Sequence, residues 1–213
     1  MLLLQLFFVT LFIEITRTTS FVQVQNNRFS LDGNDYWYIG TNFWYGANLG
    51  SQGRGGNRSR LLRELDHLNH LGIKNLRLQV GSEGPDTEPW RIVPSMQPSP
   101  GVYNTEILEG LDFVLDEMGK RGMHAIMCLN NFWHWSGGFA QYIAWSTGSQ
   151  NIPYPYLDGY NRFEEFAAGF YHLSNATALF DDHIRYIISR QNTISKVFYK
   201  DDPTIVCTFF YNS

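Results

Sequence analysis

The sequence predicts an α/β fold built on a parallel sheet, with a (β/α)8 barrel favoured over a doubly wound sheet. Short apolar runs rich in β-branched and aromatic residues alternate with segments whose apolar residues recur at helical spacing. These runs are nearly continuous, which is typical of parallel strands that are buried on both faces. The long connections follow strands and never helices, and barrel enzymes build their sites from such loops.

The predicted elements follow one another in a regular order. A hairpin over residues 22–35, with Asp32 and Gly33 at its turn, precedes the first strand. Strands and helices then repeat with a unit of roughly fifty residues, and an aromatic-rich loop over 132–160 follows the third strand. Four such strands make half of an eight-stranded barrel. In chain order we expect strands over 36–46, 75–80, 124–131 and 204–210, and helices over 61–71, 107–118 and 179–188.

The first twenty residues have the pattern of a secretory signal peptide, with an apolar run over residues 2–13 and small residues at the end. A membrane span is disfavoured because Glu14 and Arg17 interrupt the run well short of the roughly 20 apolar residues that a span needs. We therefore expect a secreted, extracellular chain of residues 21–213 that forms one domain and has no membrane attachment after cleavage.

Composition excludes several other classes of function. The net charge of −4 and the scattered basic residues give no basic stripe for nucleic acid. Cys128 and Cys207 lie in apolar runs and are predicted to be buried free thiols. No zinc pattern occurs, and His67 and His70 on the first predicted helix lack a third ligand, so we expect neither metal nor cofactor. The sequons at Asn57 and Asn175 are candidate N-glycosylation sites in a secreted chain.

Three strand ends combine aromatic side chains with amides or charged groups, over residues 40–46, 77–84 and 129–138. An aromatic ring packs on the apolar face of a sugar, while amides bind the hydroxyl groups around its edge. The alternative is that these rings only fill the mouth of the barrel. Because the clusters recur at equivalent positions, a carbohydrate site is favoured.

Charged side chains near these strand ends lead to further expectations. Arg77 lies inside an apolar strand, so we expect a carboxylate to pair with it. His134 lies in the aromatic loop and is the stronger functional candidate among the histidines. Glu83, Asp86 and Glu88 follow the second strand without the spacing of a catalytic pair, and we expect them to be solvated or to contact substrate.

Together, the stretches GTNFWYGANLGS, NLRLQVGSEG, MCLNNFWHWSGGFAQYIAW and YKDDPTI resemble the first four βα units of the secreted endo-β-1,4-mannanases of glycoside hydrolase family 5. The resemblance covers residues 21–206. It implies a TIM-barrel glycosidase that binds β-mannan and needs no cofactor. It also implies that Arg77 lies near the catalytic nucleophile. The positions that it assigns to the sugar cleft are Phe43, Trp44, Asn131 and Trp133.

The resemblance further implies retaining hydrolysis by two glutamates, of which the acid/base ends the fourth strand and the nucleophile ends the seventh. The closing CTFFYNS departs from the family before the first of them would appear. We therefore expect a truncated, inactive N-terminal half that lacks both catalytic residues and whose open sheet edges favour self-association. The alternatives are a carbohydrate-binding fragment without activity and a non-functional splice or gene-model product.

Overall fold

The computed structural model describes residues 20–149 and 151–209, and the predicted signal peptide, apart from its last residue, lies outside them. Three short antiparallel strands come first: β1 (Gln23–Gln25), β2 (Arg28–Leu31) and β3 (Asn34–Asp35). The β2–β3 turn at Asp32 and Gly33 has positive φ angles of 52° and 78°, as the hairpin prediction requires. The additional strand β1 joins β2 through a turn at Asn26 and Asn27.

The principal sheet has the order β4-β5-β6-β7, and every neighbouring pair is parallel. This arrangement confirms the predicted βα repeat, because parallel neighbours require a crossover connection between them. Its strands are β4 (Ile39–Asn42), β5 (Ile73–Gln79), β6 (His124–Cys128) and β7 (Ile205–Phe209).

Helices lie between the strands and supply most of the core. The helices α2 and α3 coincide with the predicted periodic segments, and Asn57 and Asn104 cap their first turns through side-chain oxygens. The helices are α1 (Gly46–Gly50), α2 (Arg58–His70), α3 (Thr105–Lys120), α4 (Gly138–Thr147), α5 (Pro155–Asp158), α6 (Tyr160–Ala168) and α7 (Ser174–Ile188).

The interpretation of residues 132–160 as an aromatic loop was wrong in part, since α4 and α5 lie within it. Residues 138–144 of α4 are all buried, so the helix has no polar face. A helix that is apolar all round shows no amphipathic period in the sequence. The structure also corrects Cys207, which is exposed, while Cys128 is buried as expected.

The two faces of β5 differ because successive side chains of a strand point to opposite sides. Leu76 and Leu78 are fully buried in the hydrophobic core. Asn75, Arg77 and Gln79 alternate with them and carry amide or guanidinium groups on the other face. The sheet therefore packs one apolar face against helices and presents a polar face that corresponds to the interior of a barrel.

Asp112 of α3 anchors the segment that precedes β7. Its carboxylate accepts bonds from Arg190 (Nε 3.0 Å, Nη2 2.6 Å), from the hydroxyl of Tyr199 and from Thr193. Its side chain is fully buried, so the bonded partners balance the cost of burying its charge. This cluster fixes the approach of the chain to the fourth parallel strand.

Candidate functional site

The carboxyl ends of the parallel strands meet at one edge of the sheet, where a barrel enzyme places its site. Backbone bonds hold this edge together: the Phe43 amide donates to the Arg77 carbonyl at 2.9 Å, and the Val80 amide donates to that of Cys128 at 2.8 Å. The loops that follow β4, β5 and β6 therefore begin next to one another.

The exit of β4 presents one tryptophan and buries its neighbour. Trp44 is 42% exposed, and its ring meets that of Trp135 edge-on at 6.0 Å between centroids. Phe43 is 2% exposed and belongs to the core, with its ring 4.6 Å from that of Tyr45. Its burial leaves almost no surface for a ligand, so the structure places Phe43 beneath the edge, not on it.

Arg77 does not meet the carboxylate that we expected. Its guanidinium donates to Asn42 Oδ1 at 3.4 Å and to Cys128 Sγ at 2.9 Å, and no acidic side chain pairs with it within residues 20–149 and 151–209. The arginine lies on the polar, partly open face of the sheet, where water reduces the cost of an unpaired charge. Burial raises the pKa of the Cys128 thiol, although Arg77 acts in the opposite direction.

The loop after β6 carries the remaining predicted site residues. Asn131 is 3% exposed, and its side-chain oxygen accepts from the Trp133 amide at 3.3 Å. Trp133 is half-buried and stacks on Phe163 at 6.0 Å, with 13° between the ring planes. The structure therefore brings Trp44, Asn131, Trp133 and His134 to neighbouring loops at the same edge.

His134 is packed among aromatic rings and is 5% exposed. The rings of Tyr156 and Phe163 lie 5.4 Å and 5.5 Å from its own, both nearly edge-on. Burial lowers the pKa of the imidazole below its ordinary value of 6.5, and the positive charge of Arg91 lowers it further by a smaller amount. A neutral imidazole has one donor and one acceptor nitrogen, which suits a hydroxyl group of a ligand.

The prediction that Glu83 is solvated or contacts substrate was wrong. The side chain is neither solvated nor open to substrate, since Glu83 is 1% exposed and its Oε2 accepts from the Gly138 amide at 3.0 Å. Burial raises the pKa of this carboxyl from 4.5 to about 8, against smaller opposing effects of Gly138 and Arg91. The flanking glycines at 81 and 84 were the available signal, because they indicate a backbone packed too closely for side chains.

Gly137 and Gly138 allow the two loops to approach each other. Their φ angles are +90° and +61°, and a Cβ atom on Gly137 would lie 2.1 Å from the backbone oxygen of Glu83. A Cβ atom on Gly138 would lie 2.2 Å from the backbone oxygen of Asn131. The Glu83 amide also donates to the Ser136 oxygen at 2.7 Å. Glu83 and these glycines therefore position the loop that carries Trp133 and His134.

The other acidic residues near this edge have identifiable partners or lie in solvent. Asp86 accepts from the Ser95 amide at 2.8 Å, and Glu88 accepts from the Tyr154 hydroxyl. Glu164 and Glu165 are exposed on α6. In the part of the chain that the structure describes, no three His, Cys, Asp or Glu side chains form a group able to hold a metal ion. None of its helices is long and apolar enough to cross a membrane.

A family model described as GH family 5 beta-mannosidase-like matches residues 19–212. The chain belongs to glycoside hydrolase family 5. Among curated relatives, mannan endo-1,4-beta-mannosidase 1 of Solanum lycopersicum is 29% identical over 209 residues, and mannan endo-1,4-beta-mannosidase 1 of Oryza sativa subsp. japonica is 32% identical over 191. These matches cover 94% and 87% of this chain but 46% and 39% of the relatives. The chain thus spans less than half the length of either.

Solved structures of the family confirm the fold class. A Glycoside Hydrolase Family 5 Mannosidase from Rhizomucor miehei is 44% identical, with a TM-score of 0.88 over 91% of this chain and 48% of that one. A variant of that mannosidase has been solved in complex with mannosyl-fructose. An endo-1,4-beta-mannanase from the same organism has 23% identity and a TM-score of 0.70, which supports the fold alone. The four parallel strands are therefore part of a TIM barrel of this glycoside hydrolase family.

Proposed function

We propose that the carboxyl edge of the sheet binds β-1,4-linked mannan, as part of a mannan endo-1,4-β-mannosidase. The observation that carries this proposal is the placement of exposed Trp44 and half-buried Trp133 beside hydrogen-bonding side chains, in a chain of this family. The named activities of the relatives support the choice of mannan.

Each predicted site residue has a role in this proposal. Trp44 and Trp133 stack on sugar rings, and Asn131 holds the backbone beneath Trp133 while His134 binds a hydroxyl group. Phe43 packs in the core against Tyr45, whose ring meets that of Trp44, and it does not touch the sugar. Arg77, held between Asn42 and Cys128, is available to pair with a catalytic carboxylate of the complete barrel.

We also propose that the 213-residue chain does not hydrolyse mannan by itself. Retaining hydrolysis needs two carboxyl groups about 5–5.5 Å apart on either side of the glycosidic oxygen. Glu83 is 1% exposed and bonded to the Gly138 amide, so it does not reach a substrate, and Asp86 and Glu88 lie in the loop after β5 instead of at the strand ends that carry the family's glutamates. The family's two glutamates would end the fourth and seventh strands of the complete barrel.

Secretion, glycosylation and self-association complete the proposal. Asn57 and Asn175 are both exposed, at the first turns of α2 and α7, where an enzyme of the secretory pathway can reach them. The edge strands β4 and β7 are the sites at which another strand would add. The partner we expect for the enzyme is β-mannan or a related polysaccharide.

A second candidate function is hydrolysis of short β-mannosides by a mannosidase. The higher identity to the Rhizomucor miehei mannosidase, 44% against 23% for the mannanase of that organism, favours it. Product analysis separates the two candidates when the complete enzyme is used. Release of mixed oligosaccharides from mannan indicates the endo activity, and release of mannose alone indicates the other.

Affinity electrophoresis in gels containing soluble β-mannan tests the proposed binding function. We expect mannan to retard the chain and Trp133→Ala to restore ordinary mobility, because the stacking surface is then lost. Trp37→Ala is the matched control, since Trp37 is 79% exposed and lies at the opposite end of β4. Equal mobility of the wild-type chain with and without mannan would contradict the proposal.

A further inference from the structure

Trp90 has a backbone conformation that its side chain disfavours. Its φ angle is +55°, in the left-handed region that a bulky residue rarely occupies. Burial does not explain this conformation, because Trp90 is 46% exposed. Strain of this kind persists where the surrounding structure enforces it, and it is concentrated at functional sites. An indole that is both strained and exposed requires an explanation other than packing.

Trp90 is part of an exposed aromatic surface with Tyr156. The two rings lie 5.3 Å apart at 57°, and Tyr156 is 60% exposed. Tyr156 also contacts His134, with 5.4 Å between the ring centroids. The aromatic surface is therefore continuous with the candidate sugar site, although Trp90 comes from the loop after β5 and Tyr156 from α5.

Arg91 holds Tyr154, whose ring lies next to Trp90. Its guanidinium donates to the Tyr154 hydroxyl at 3.0 Å, to the backbone carbonyl of Glu83 at 2.9 Å and to the side-chain oxygen of Gln141. The Tyr154 ring lies 5.6 Å from Trp90, and its hydroxyl donates to Glu88. The ring of Trp90 therefore lies beside a hydroxyl group and a carboxylate, those of Tyr154 and Glu88.

A second link joins the loop of Trp90 to the candidate site. The Ile92 amide donates to the Trp135 oxygen at 2.9 Å, so the chain just after Trp90 is bonded to the loop that carries Trp133 and His134. Since backbone and side-chain bonds both hold the loop, the backbone that carries Trp90 needs little ordering when a ligand binds. Such preorganisation lowers the cost of binding.

We propose that Trp90 and Tyr156 form an additional binding subsite for a hexopyranosyl unit of the mannan chain, beyond the units bound at Trp44 and Trp133. Aromatic faces bind the apolar face of a pyranose, and Glu88 accepts bonds from its hydroxyl groups. The subsite rests on the proposed mannan-binding function and adds a preference for longer chains. Trp90 and Tyr156 are binding residues here and take no part in bond cleavage.

Calorimetric titration with β-1,4-mannobiose and β-1,4-mannohexaose tests the subsite in the full chain. We expect wild type to bind the hexaose on the order of ten-fold more tightly than the disaccharide. Trp90→Gly and Tyr156→Ala should each remove that gain and leave the affinity for mannobiose unchanged. Glycine adopts positive φ freely, so Trp90→Gly should not lower the midpoint of thermal unfolding. Trp37→Ala, at the opposite end of the sheet, should alter neither affinity.

The outcomes separate the subsite from the function on which it rests. Retention of the full hexaose affinity by Trp90→Gly and Tyr156→Ala overturns the subsite and leaves the proposed function standing. An equal loss of affinity for both sugars overturns it too, because the rings then support the main site instead of an additional one. Failure of the wild-type chain to bind either sugar rejects the proposed function and the subsite together.

Discussion

Replacing Glu83 by glutamine should change how the stability of the chain depends on pH. The folded carboxyl has a pKa of about 8, because burial disfavours its charged form, whereas the value in the unfolded chain is 4.5. Between these pH values the folded state retains a proton that the unfolded state has lost. The free energy of unfolding therefore falls as pH rises from 4.5 to 8. Glu83→Gln keeps the shape of the side chain and removes the titration.

The magnitude follows from the two pKa values. The proton-linked contribution of Glu83 changes by about 3 kcal/mol between pH 5 and pH 8. The stability of Glu83→Gln relative to wild type should rise by that amount over the same range. At pH 5 the two proteins should be similar, because the folded wild type has a neutral carboxyl there and glutamine is its nearest neutral counterpart.

His183 also makes the stability of the chain depend on pH, and its contribution has to be distinguished from that of Glu83. It is fully buried between the Tyr103 hydroxyl and the Val80 oxygen, and burial lowers its pKa to about 4 from 6.5. The unfolded histidine binds a proton between these values while the folded one does not, so stability rises with pH from 4 to 6.5. The two contributions oppose each other between pH 4.5 and 6.5. Only the difference between variant and wild type isolates Glu83.

Urea unfolding followed by tryptophan fluorescence at pH 5, 6.5 and 8 measures that difference. Glu164→Gln is the matched control, since Glu164 is exposed on α6 and its substitution should alter stability little at any of the three pH values. Curves for wild type and Glu83→Gln that stay equally separated at pH 5 and pH 8 would refute the reasoning, because the buried carboxyl would then not exchange a proton on unfolding.

Other predictions concern two structural features and the chemistry. Asp112→Ala should lower the free energy of unfolding by about 3–5 kcal/mol, because it leaves the part-buried Arg190 without its partner. Urea titration measures this loss. Asp182→Ala, which removes an exposed ion pair, is the control and should lower the free energy of unfolding by less than about 1 kcal/mol. Gly137→Ala should lower the free energy of unfolding by about 2 kcal/mol or more, because the new methyl group clashes with the Glu83 backbone at a positive φ angle. Gly148→Ala, where φ is +71° and no atom lies near the new methyl group, should lower it by about 1 kcal/mol. An equal loss of stability at both positions would contradict the close packing of Gly137 on Glu83. The purified chain should release no reducing ends from mannan. If it does release them, and a single carboxylate substitution such as Glu83→Ala abolishes this activity, the proposed need for a complete barrel is contradicted.

Sequence periodicity predicted the parts of the fold that have one polar side. Helices α2 and α3 have an apolar stripe and a capping asparagine, so their sequence reveals both spacing and start. Helix α4 is buried on every side over residues 138–144, so its sequence lacks an amphipathic period and predicts a loop. The unpredicted pairing of β1 depends on the two asparagines of its turn, both with positive φ.

The candidate site was predictable at the level of strand ends but not of contacts. The position of Trp44, Trp133 and His134 at one edge follows from parallel strand order, which the sequence indicated. Which aromatic residue of a pair is buried depends on tertiary packing, as the burial of Phe43 beside exposed Trp44 demonstrates. The bond from the Gly138 amide to Glu83 spans 55 residues, and local patterns carry no information about such pairs.

The central claim, that this edge of the sheet recognises mannan, is tested most directly by calorimetric titration of β-1,4-mannohexaose and cellohexaose into the wild-type chain and Trp133→Ala. The account predicts a measurable heat of binding with mannohexaose and a weaker one with cellohexaose. It also predicts loss of the mannohexaose signal in Trp133→Ala. Equal binding of both sugars, or an unchanged affinity in Trp133→Ala, would contradict the claim.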